Sequence, residues 1–88
     1  MPGELPADVR TSLLALLERG SDAARERDER TVEGVVDSVE TLAHHDVSDD
    51  EIRTMLLHGC RRANEAMPAE PLVTAEYLEA MARLVADE

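Results

Sequence analysis

The chain has 88 residues, 43% of them hydrophobic, and a formal net charge of −11. That length allows one small domain with a single modest core, and that apolar fraction is too high for a disordered chain even at this charge. The carboxylate excess disfavours nucleic acid and anionic membrane as partners, because both carry the same sign.

All nine basic residues are arginine, against twenty Asp and Glu; Tyr77 is the single aromatic. A core without Trp or Phe must be built from Leu, Val, Met, Ile and Ala, which pack well between helices. Lys and Gln are absent, and Ile and Asn occur once each. This is the residue usage of a GC-rich genome. With the acidity, it resembles the proteins of salt-in halophilic archaea; acid-rich actinobacteria are the alternative. In such a medium carboxylates keep the surface hydrated while molar salt screens their repulsion to about 3 Å. No apolar run approaches the roughly 18 residues of a membrane span, and the first residues lack a signal-peptide pattern. One cysteine, Cys60, excludes an intramolecular disulfide. A cytoplasmic setting is the expectation.

In chain order, residues 1–5 read as a short tail and 6–88 as one helical domain. A first helix is expected over 6–19. Pro6 suits a first helical position, Asp8 the positive N-terminal end, and Gly20 a C-terminal stop. Val9, Leu13, Leu16 and Leu17 fall on one face. A second helix is expected over 22–45, with Ser21 as N-cap. Its first turns are almost wholly charged; from Thr31 onward Val32, Val35, Val36, Val39, Leu42 and Ala43 form a stripe. A third helix is expected over 49–67. Ser48 and Glu51 have capping-box spacing, and Val47 and Ile52 flank them as a hydrophobic staple. Its face combines Ile52, Met55, Leu56, Gly59, Ala63 and Met67, and Pro68 ends it. Gly59 and Ala63, small and one turn apart, suit a close helix–helix approach. This stripe makes the third helix the expected centre of the molecule. A fourth helix is expected over 72–87, with Leu78, Met81, Leu84 and Val85 on its face. The fold class is therefore all-α, a small antiparallel four-helix bundle.

The most chemical-looking stretch is HHDVSDDEI at 44–52. Histidines in a last turn and aspartates in the next first turn both suit the helix dipole, so it reads as a helix junction. His45, Asp46 and Asp49 are the candidates if it holds a metal; His58 lies roughly 14 Å further along the third helix at 1.5 Å per residue, too far to join them. VDSVE at 36–40 superficially resembles the attachment sequence of acyl carrier proteins. Carrier serines open a helix after a long loop, whereas Ser38 falls inside a valine-striped helix, so no carrier function follows. Phosphate loops, G-x-S-x-G, H-E-x-x-H and C-x-x-C are all missing, so no catalysis and no cofactor are expected.

What remains is a small acidic protein-interaction module or adaptor. The expected partner is a protein, with a second copy of the chain among the candidates. Val35 and Val39 on the second helix, Gly59 and Ala63 on the third, and Tyr77 are the interaction candidates. The first alternative is a DNA-binding regulator with a helix-turn-helix around 32–67, where Arg53, Arg61 and Arg62 would meet phosphates. Against it, Asp49, Asp50 and Glu51 crowd the start of the recognition helix. The second alternative is a metal- or small-ligand-binding helical protein.

Overall fold

The structure, a computed structural model, describes residues 5–88. The described residues form four helices and no strand: α1 (Ala7–Arg25), α2 (Glu29–Asp46), α3 (Asp50–Ala66) and α4 (Pro71–Ala86). The all-α bundle read from periodicity is the fold. Each helix packs on two neighbours, α1 on α2 and α4, and α3 on α2 and α4; among the described residues neither diagonal pair approaches closely. The connections are short, so consecutive helices run antiparallel. The bundle is a square rod of 40 × 19 × 19 Å, and no helix is central. The expected centrality of α3 does not hold, because its apolar stripe serves only its two flanking contacts.

The first helix boundary moves most. Gly20 and Ser21 do not stop one helix and cap the next; both lie inside α1, buried. A Cβ on Gly20 would stand 2.8 Å from Val35 Cγ1 and 3.1 Å from Leu78 Cδ1. The glycine is therefore a point of close approach to α2 and α4, and burial of Ala23 and Ala24 extends the helix beyond it. The chain turns at Arg27, a non-glycine residue at φ 61°. The N–H groups of Arg27 and Asp28 donate to the carbonyls of Ala24 and Ala23 at 3.0 and 2.8 Å. These two bonds are the Schellman pattern, with arginine where glycine is usual. Asp28 then caps α2, its carboxylate accepting from Thr31 N–H at 3.2 Å and Thr31 Oγ1 at 2.6 Å.

The second boundary moves by one residue. Asp49, not Ser48, is the N-cap of α3, accepting from Ile52 N–H at 3.0 Å. Arg53 closes the junction by donating to the Val47 carbonyl at 3.1 Å and pairing with Asp50. Well away from this junction, Cys60 Sγ still lies 4.0 Å from the Val36 carbonyl. So α2 and α3 run alongside each other as an αα-hairpin; a helix-turn-helix crossing at about 90–120° would separate them there.

The core is aliphatic. Leu13, Leu17, Val32, Val36, Val39, Leu56, Leu78 and Val85 are its largest fully buried apolar side chains, together with Val47 from the junction. Residues 1–4 of the sequence's tail lie outside the described residues, while Leu5 is buried in the core. Met55, expected on the α3 face, is 47% exposed, whereas Cys60 is fully buried. Thr74 Oγ1, fully buried, donates to the Ala63 carbonyl at 3.0 Å and ties α4 to α3.

Candidate interaction surface

The five interaction candidates separate into interior and surface. Val35 (4% exposed), Val39, Gly59 and Ala63 are all buried within the chain's own core. The valine stripe of α2 and the small-residue face of α3 are thus consumed by the fold and offer nothing to a partner. Gly59 does mark a close helix contact, as its neighbours imply: a Cβ there would stand 2.6 Å from Met81 Sδ on α4. Only Tyr77 remains accessible, half-buried on α4.

Tyr77 belongs to a pattern the core stripe conceals. The interior face of α4 carries Thr74, Leu78, Met81 and Val85, all buried. Shifted by one residue is a second stripe with the same spacing: Val73, Tyr77, Ala80 and Leu84. Of these, Ala80 is exposed and the other three are half-buried, with Tyr77 and Leu84 packing one side against the core and leaving the other to solvent; Leu72, at the same end as Val73, is 61% exposed. Helical periodicity turns adjacent positions by about 100°, so the second stripe lies on the flank of α4 that faces the outer groove against α3. That groove has a volume of about 250 Å³ where Arg62, Ala66, Val73 and Tyr77 line it. The Arg62 guanidinium is held above its ordinary pKa first by the Tyr77 oxygen and then by Glu65.

The opposite flank of α4 is closed by charge. Arg25 of α1 donates to Glu79 at 2.5 Å. This bond raises the Arg25 pKa and lowers that of Glu79, with desolvation opposing it in both. Asp28 is also held below the usual carboxylate range, first by its side-chain bond to Thr31 and then by the backbone one. That shift is the signature of a helix cap. A depression of about 500 Å³ is an open trough between α1 and α2 lined by Arg19 and the carboxylates of Glu18, Asp22, Glu26 and Asp28.

The other sequence candidates do not converge. His45 and Asp46 are exposed, Asp49 is occupied as a cap, and among the described residues no group of three His, Cys, Asp or Glu side chains is placed to hold a metal. Ser38 lies exposed within α2. Cys60 is fully buried, and burial pushes its thiol up to about 12, with Glu40 adding to the shift, which disfavours the reactive thiolate. No helix among the described residues is long and apolar enough to cross a membrane.

One family, described as a domain of unknown function (DUF8101), matches residues 1–87. No curated protein and no solved structure matches the chain.

Proposed function

We propose that this chain, which belongs to the DUF8101 family, is a non-catalytic protein-interaction module that takes a helix of its partner along the outer α3–α4 face. One observation carries this reading: α4 has a complete second apolar stripe, Val73, Tyr77, Ala80 and Leu84, beside the one its own core uses. A helix whose stripe fills a partner's groove through positions four and three apart is a recurring mode of recognition. Tyr77 supplies a large rigid anchor with a polar tip, the residue type enriched where interfaces concentrate their energy.

The setting is a salt-rich cytoplasm, supported by the lysine-free, carboxylate-rich composition. The charge of −11 and the side-by-side packing of α2 and α3 favour a protein partner over DNA.

Site-specific photo-crosslinking in the native cell tests the reading. With a photoreactive residue at Ala80, a discrete polypeptide adduct is expected. The same residue at Glu33, on the exposed side of α2, serves as the control and should give none. Equal labelling from both positions, or no polypeptide adduct at Ala80, overturns it.

A further inference from the structure

We infer that the occupant of this face is a second copy of the chain, docked about a two-fold axis so that its α4 runs antiparallel to the first. The inference rests on the interaction reading above and names its partner.

The second stripe of α4 is complementary to itself. Two antiparallel α4 helices related by an axis passing between Leu78 and Glu79 bring Tyr77 opposite Ala80 of the other copy, and Val73 opposite Leu84. Each large side chain then meets a smaller one, and the only aromatic ring of the chain enters the space left by an alanine. A two-fold interface must be complementary to itself, and this stripe is. The flanking charges agree. Glu76 and Arg83 are both exposed and one heptad apart on the solvent side of the stripe. Antiparallel pairing sets Glu76 of each copy against Arg83 of the other, giving two reciprocal ion pairs. An in-register parallel pairing loses both the reciprocal charges and the ring-against-alanine fit, since it sets Tyr77 beside Tyr77.

Magnitudes set the strength and its salt dependence. A contact built mainly on one helix of 16 residues, about 24 Å long, lies at the small end of specific interfaces, so a weak, readily reversible association is expected. Each copy carries −11, and at low ionic strength this net charge opposes pairing. Raising salt from about 0.1 to 1 M shortens the screening length from about 10 to 3 Å, which removes the long-range repulsion and leaves the apolar contact. The dimer therefore tightens with salt. A cationic partner on the same face would loosen.

Sedimentation equilibrium of the purified full chain, from low micromolar concentration upward at both salt levels, is the experiment. A concentration-dependent shift to twice the monomer mass, stronger in 1 M KCl, is expected. Ala80→Glu, at an exposed helical position, should weaken association by about tenfold or more, with helicity checked by circular dichroism. Glu76→Arg and Arg83→Glu should each weaken it, and the double exchange Glu76→Arg with Arg83→Glu should restore it, because only the reciprocal geometry re-forms the pairs. A monomer at every concentration overturns the inference, as does an Ala80→Glu dimer of undiminished strength or a double exchange that fails to restore. If the purified chain is monomeric while the Ala80 photo-adduct contains a different polypeptide, the self-pairing falls and the interaction reading stands.

Discussion

Arg27 is held in the left-handed region because the turn between α1 and α2 needs it, not because arginine favours it. The conformation costs a residue with a Cβ about 1–2 kcal/mol, and glycine avoids this while losing about 0.5–1 kcal/mol of extra chain entropy on folding. Arg27→Gly is therefore expected to stabilise the fold by about 0.5–1 kcal/mol, read as a rise in melting temperature; a fall would mean that the Arg27 side chain has a role the backbone geometry does not reveal. The α3 cap is decided by one hydrogen bond. Ser48 and Asp49 are both good capping residues, but the observed bond runs from Ile52 N–H to Asp49. Asp49→Ala should cost about 1 kcal/mol, and Ser48→Ala, at an exposed position outside the helix, a few tenths. Chemical denaturation of the two variants side by side measures the difference, and equal losses would contradict the assigned cap.

Among the described residues three glycines sit inside helices, and their surroundings separate them. Gly34 has nothing within 4 Å of a built Cβ, so Gly34→Ala gains helix propensity without cost and should stabilise by about 0.8–1 kcal/mol. Gly20 faces Val35 Cγ1 at 2.8 Å, and a β-branched side chain is stiff at χ1. Overpacking there, about 1–3 kcal/mol, exceeds the propensity gain, so Gly20→Ala should destabilise. Gly59 faces the Met81 thioether, which has three rotatable bonds and shifts more readily. Gly59→Ala should fall between the other two, while Gly59→Leu should cost about 1–3 kcal/mol. Thermal melts of the alanine series rank the three contacts, and any order other than Gly34, Gly59, Gly20 would contradict the packing described.

At the scale of the whole molecule, twenty carboxylates face nine arginines. Screening this repulsion should raise the denaturation midpoint markedly between low salt and molar KCl, and a flat midpoint over that range would remove the basis for a salt-rich setting. Individual carboxylates respond to pH on top of this field. The pKa of Glu79 is lowered by Arg25, so its contribution is present above the unfolded value of about 4.3 and is lost as pH falls through the lower folded value. The stability gap between wild type and Glu79→Gln should accordingly be present at pH 7 and close as pH falls through the lowered folded value. A gap that persists unchanged in acid would mean the Arg25 contact depends on packing and not on ionisation.

Periodicity along the chain was enough to determine four helices, an all-α fold among the described residues and most of the core, because an amphipathic helix must bury one face and its spacing shows which. The valines of α2 and Leu56, Leu78 and Val85 lie where that spacing places them. Local signals misplaced the first boundary: Gly20 followed by Ser21 has the chemistry of a stop and a cap, yet packing against Val35 and Leu78 turned the glycine into a contact and carried the helix on. No residue type announces the true turn, since arginine rarely adopts positive φ. The interaction candidates depended on tertiary structure for the same reason. Apolar and small residues serve an interior and an interface equally well, and spacing does not say which neighbour is already in the chain. Only the assembled bundle, in which α2 and α3 spend their stripes on each other and on α1 and α4, decides that Val35, Val39, Gly59 and Ala63 are interior and that the second stripe of α4, with Tyr77, stays partly exposed.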